Sequence, residues 1–70
     1  MNKLDKIHIE LYSVESIFQG YLLHLKETTG KVESTPNKQL ARSFSTIGAA
    51  SKVAKKVERL TNGCLRCNIA

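Results

Sequence analysis

Cys64 and Cys67 stand as a C-x-x-C pair near the end of a 70-residue chain whose two histidines are His8 and His24. Thiolates and imidazoles are preferred zinc ligands, and a closed structural site needs four. If residues 3–27 form a helix, His8 and His24 lie about 24 Å apart at about 1.5 Å per residue, too far to share an ion. An antiparallel hairpin would return the end of the chain to the start of that helix, which makes His8 the candidate third ligand. The fourth would have to come from a carboxylate, a water or another subunit. The simpler expectation is two free thiols in a reducing, cytoplasmic setting, with no metal and no other cofactor. Thioredoxin-type exchange belongs beside a βαβ pattern, and none is visible.

Other chemistry is no better supplied. Glu10, Glu15, Glu27 and Glu33 form no pair suited to acid–base work, and no Ser–His–Asp or Cys–His set can be assembled at one end of the fold. The four glycines, at 20, 30, 48 and 63, are scattered and make no phosphate-cradling loop. The sequence therefore predicts a protein that binds rather than an enzyme.

The elements that would position a binding surface begin with Thr35–Asn62. Thr35 suits an N-cap and Pro36 the first helical position. Asn62 and Gly63 tolerate the left-handed conformation that closes helices, and Arg59 suits the negative end of the macrodipole. At about 100° per residue, Leu40, Phe44, Ile47, Ala50, Val53, Ala54, Val57 and Leu60 fall on one side. Lys38, Arg42, Lys52, Lys55, Lys56 and Arg59 fall on the other, separated by small residues that include Gly48. This predicts a helix over about residues 36–61.

Residues 3–27 read as a first helix. Leu4, Ile7, Leu11, Val14, Phe18, Tyr21 and Leu25 alternate spacings of three and four, as a packed helix does. Asn2 is a plausible cap with Asp5 in a box-like position. A competing pattern runs through residues 6–12: Ile7-His8-Ile9-Glu10-Leu11-Tyr12 alternates like a strand. A strand there followed by two helices would suggest a ribbon–helix–helix DNA binder, but the heptad continues unbroken to Leu25 and favours helix. Residues 28–35 make a connector, and 63–70 a short C-terminal tail after a single domain over 1–62.

Two helices joined by a short loop make an all-α antiparallel hairpin. Both apolar arcs are too wide for one partner helix to cover, which predicts a homodimeric four-helix bundle with Leu11, Phe18, Leu25, Leu40, Phe44, Ile47 and Val57 at its core. That arrangement resembles, in size and pattern, the plasmid copy-number regulator Rop. The likeness is one of architecture, with no motif matched residue by residue.

No run of residues approaches the length of a membrane span. The opening residues, MNKLDKIHIE, put charges where a leader would be apolar. Charge is uneven: residues 1–35 carry four lysines against five carboxylates, and residues 36–70 carry seven cations against Glu58 alone. Two partners follow from these features. Ile9, Tyr12 and Leu23 miss the first helix's core stripe and share its opposite side, as a contact face for a larger protein target would. The expected function is thus a small regulator or inhibitor that acts by protein–protein binding. The alternative is a dimeric DNA- or RNA-binding regulator that uses the basic arc Lys38, Arg42, Lys52, Lys55, Lys56 and Arg59.

Overall fold

A computed structural model describes residues 6–70. The expected features at Asn2, Leu4 and Asp5 lie outside that range. The fold is not an all-α hairpin. Among the described residues it is a four-stranded antiparallel sheet with one α-helix, in the order β1 Ile9–Ser13, β2 Phe18–Lys26, β3 Lys31–Thr35, α1 Ile47–Leu60 and β4 Leu65–Ile69. The strands lie in the order β3-β2-β1-β4. The expected four-helix bundle has no counterpart in this architecture.

The alternating residues that competed with the helix reading supply β1. Ile9 and Leu11 point inward and are fully buried, while Glu10 and Tyr12 point to the opposite face. Ser13 then turns the chain. Its hydroxyl accepts from the N–H groups of Glu15 and Ile17, both at 3.2 Å, and Ser16 takes a left-handed φ of 65°. These local bonds specify a hairpin where a helix would have to run through.

Two bulges in β2 explain why the stretch imitates a heptad. Tyr12 pairs with Phe18 but Leu11 pairs with Gly20, so Gln19 is an extra residue. Leu22 pairs with Ser34 but His24 pairs with Glu33, so Leu23 is a second one. Each bulge reverses the alternation. Leu22 and Leu25 therefore both enter the core at a spacing of three, and Phe18 and Tyr21 share the other face at the same spacing. A strand interrupted in this way copies the helical period. Gly20 is required at the first bulge: it has φ +105°, and a Cβ there would stand 3.0 Å from the Thr35 carbonyl oxygen.

The second expected helix is cut in two. The Thr35 hydroxyl does accept a backbone N–H, that of Asn37 at 3.1 Å, but the chain enters only a 3-10 turn, Lys38–Leu40. The true cap is Thr46, whose hydroxyl accepts from Ala49 N–H at 3.1 Å. Between the two, Arg42–Phe44 inserts beside the sheet. Arg42 N–H donates to the Leu22 carbonyl at 2.9 Å, and Phe44 and Ile7 exchange backbone bonds of 2.8 and 3.0 Å. At its far end the helix closes as expected, with Asn62 and Gly63 both at positive φ.

α1 lays Ala50, Ala54 and Val57 on one sheet face, over Ile9, Leu11, Leu22, Leu25 and Phe44. Val53, Leu60, Leu65, Cys67 and Ile69 close the margins. Residues 63–70 are thus not a tail: they supply β4, paired along the whole of β1 from Ile9↔Ile69 to Ser13↔Leu65. The residues assigned to a dimer core divide accordingly. Leu11, Leu25, Phe44 and Val57 are buried within one chain, whereas Phe18 lies on the outer sheet face and Leu40 and Ile47 are 65% and 64% exposed. The apolar arcs that motivated a homodimer are largely satisfied internally. A Cβ at Gly48 would meet open space, so no neighbouring backbone uses its small size.

Candidate nucleic-acid interface

The sheet face turned away from α1 is the surface to consider, and pairing register fixes its members, since directly opposed residues share a face. Glu10, Tyr12, Phe18, Tyr21, Arg66 and Asn68 belong to it. Three aromatic rings make a row across β1 and β2. Tyr12 and Phe18 meet edge to face with centroids 5.5 Å apart, and Phe18 and Tyr21 do so at 5.2 Å. His8 extends the row, its ring 6.5 Å from that of Tyr21. Phe18 remains 44% exposed, an uncommon degree of exposure for a ring on a sheet.

Polar groups hold the row in place. Glu10 accepts from the Tyr12 hydroxyl at 3.0 Å and from the Asn68 amide at 2.9 Å. The bond to Glu10 is the main reason that the Tyr12 hydroxyl titrates above its ordinary value. Arg66 stands directly opposite Tyr12 on β4 and is exposed.

At the His8 end the face runs into a cleft of about 490 Å³ lined by Lys6, His8, Lys38, Gln39, Ala41 and Ser43. The inserted segment after the 3-10 turn forms its far wall. His8 is only 9% exposed, and its Nδ1 is buried with no hydrogen-bond partner. An unsatisfied buried polar atom costs about 1–3 kcal/mol. Burial lowers the His8 pKa below the usual histidine range, with Lys38 and Lys6 adding to the effect and a backbone hydrogen bond at Lys6 opposing it.

The residues singled out from sequence are scattered. Of the protein-contact set, Ile9 is in the core and offers no surface, Tyr12 is on the aromatic row, and Leu23 is the exposed bulge residue of β2. Of the basic arc, Lys52, Lys55 and Arg59 are exposed on the outer side of α1, away from the aromatic face, and Lys56 is paired with Glu27 at 3.2 Å. Lys38 lines the cleft, and the Arg42 guanidinium lies 5.0 Å from the Phe44 ring centroid. Phe18, Tyr21 and Arg66 were not legible as a site: the first two satisfied the heptad and Arg66 fell in the supposed tail. Their signal was the alternation through Ile7–Tyr12, which sets the face that β2 and β4 then share.

The metal candidates separate as well. Cys67 packs on the core side of β4 opposite Leu11, while His8 belongs to the other sheet face. Among the described residues no three His, Cys, Asp or Glu side chains gather as metal ligands would. Cys64 and Cys67 are free thiols. Burial, with Glu58 as a lesser cause, pushes the Cys67 thiol up to about 11, and the Cys67 N–H donates to Glu58 Oε2 at 2.9 Å. Because the thiolate is the reactive form, Cys64 is expected to alkylate at neutral pH many times faster than Cys67. Peptide mapping after limiting iodoacetamide would check this, and equal labelling would contradict the core-side placement of Cys67.

Among the described residues no helix is long and apolar enough to cross a membrane. No known protein family, curated protein or solved structure matches the chain.

Proposed function

We propose that this protein is a non-enzymatic binding regulator that takes single-stranded nucleic acid on the open sheet face. The observation that carries the reading is the aromatic row Tyr12–Phe18–Tyr21, placed between Arg66 at one side and the Lys6–Lys38 cleft at the other. Nonspecific single-strand binders combine these two parts: rings on which unpaired bases stack, and cations that follow the backbone. The chain's net charge of +5 favours an anionic partner in the same direction. Two free thiols suit a reducing compartment, and a cytoplasmic location belongs to the proposal.

This places the contact on the opposite side from the basic arc of α1. Binding of a mixed-sequence oligonucleotide, followed by fluorescence anisotropy across a salt series, tests the difference. Contacts from Lys6, Lys38 and Arg66 would give a log–log slope of about −2 on a single strand, at roughly −0.7 per contact. Replacing Lys52 and Lys55 with Gln should leave that slope unchanged. Flattening by more than about one unit would move the contact to the helix. Preference for duplex over single strand would count against base stacking.

A protein target on the same face is the second reading, favoured by Val14, Ile17 and Phe18. All three are exposed at or beside the β1–β2 turn, where a hydrophobic anchor could dock. Tight, salt-insensitive capture of a protein with no measurable oligonucleotide binding would select it.

A further inference from the structure

We infer that the cleft between the 3-10 turn and the start of β1 is a phosphate-binding site, with Lys6 and Lys38 as its cations and His8, Gln39 and Ser43 as its polar wall. For a macromolecular ligand the inference rests on the nucleic-acid reading above; the chemistry of the cleft stands without it.

The fold brings these residues together from three separate stretches of chain. Lys6 and His8 lead into β1, Lys38 and Gln39 come from the 3-10 turn, and Ser43 comes from the segment that bonds to Ile7 and Leu22. Like charges brought to one cleft repel unless something neutralises them. Among the described residues Lys56–Glu27 is the one ion pair, so neither Lys6 nor Lys38 is balanced by a described carboxylate. No described carboxylate lines the cleft either. Two lysines match a phosphate dianion in charge, and Gln39 and Ser43 have donors of the kind phosphate oxygens accept. The nearly buried His8 lines the cleft as well, with its unpartnered Nδ1 enclosed behind the accessible surface. A volume of about 490 Å³ exceeds what a lone phosphate would fill and lies in the size range of small-molecule sites. It leaves room for the sugar attached to the phosphate.

Among the described residues, the groups that face His8 from its surroundings are Lys6, Lys38 and the Tyr21 ring. The two lysines help to keep it neutral, and a bound dianion would offset them. His8 should therefore gain proton affinity when the phosphate dianion enters.

The test is an NMR titration of the full chain with inorganic phosphate, then with one hexanucleotide carrying a 5′-phosphate, a 3′-phosphate or no terminal phosphate. Expected are shifts at Lys38, Gln39 and Ser43, a rise in the His8 pKa, and roughly tenfold weaker binding in Lys38→Ala, an exposed position whose loss leaves the fold intact. Stronger binding of a phosphorylated hexamer assigns the cleft to a strand end. Equal binding of all three, with the same cleft shifts, assigns it to an internal phosphodiester. Shifts with inorganic phosphate alone uphold the cleft and overturn the nucleic-acid reading. Shifts at Tyr12, Phe18 and Tyr21 with none in the cleft overturn the phosphate site and leave that reading standing. No shift with any probe overturns both.

Discussion

Replacing Val57 with Asp is expected to unfold the protein at room temperature. Val57 is fully buried in the C-terminal turns of α1, within the core cluster that also holds Ile9, Leu11, Leu22 and Leu25. A buried charge with no partner costs about 3–5 kcal/mol, and the valine packing is lost as well. A domain of this size has only about 3.5–10 kcal/mol of stability in total, at roughly 0.05–0.15 kcal/mol per residue. Ile47→Asp makes the matched control. Ile47 is the first residue of the same helix and is 64% exposed. A carboxylate in the first turn suits the positive end of the macrodipole by about 0.3–1 kcal/mol, so this variant should be as stable as the parent or slightly more so. A helical-hairpin dimer with Ile47 at its core predicts collapse on Ile47→Asp. Circular dichroism melts of the two variants separate the architectures directly.

The second large effect concerns ligand binding. Base stacking on an aromatic side chain contributes about 1–3 kcal/mol as measured by alanine substitution. Phe18→Ala and Tyr12→Ala should each weaken oligonucleotide binding by about 5- to 150-fold, since about 1.4 kcal/mol corresponds to tenfold. Edge-to-face pairs contribute about 0.5–1.5 kcal/mol to the fold, so the substitutions lower stability as well as affinity. Tyr21→Leu keeps apolar bulk while removing the stacking ring, and should reproduce the binding loss with a smaller change in melting temperature. If all three variants bind as the parent does, the aromatic row is not the contact.

The sequence made some features readable and disguised others for definite reasons. Core-facing positions in the second half were legible: Ala50, Ala54 and Val57 form one helical face, and Asn62-Gly63 ends the helix. That helix reads as starting at Thr35-Pro36, a strong capping signal locally, yet the chain that follows is held as a 3-10 turn and then bonded to Ile7 and Leu22. No local pattern reveals those long-range bonds. The first half reads as helix because bulges at Gln19 and Leu23 turn a period of two into spacings of three. Ser13 and Ser16, which make the hairpin turn, carry no strong turn dipeptide. The tail's five-residue strand needed β1 to exist before its own alternation of Leu65, Cys67 and Ile69 had meaning. The site followed the fold. Tyr12 was recognisable as an aromatic outside the core, but its neighbours Phe18, Tyr21 and Arg66 join it only through strand pairing.

The most direct test of the open sheet face as the contact surface is a backbone-amide chemical-shift map on adding a mixed-sequence single-stranded oligonucleotide. Perturbations are expected to concentrate at Tyr12, Phe18, Tyr21, Arg66 and Lys38, with Lys52, Lys55 and Arg59 unmoved. Perturbations confined to the outer side of α1, or none at saturating oligonucleotide, would contradict it.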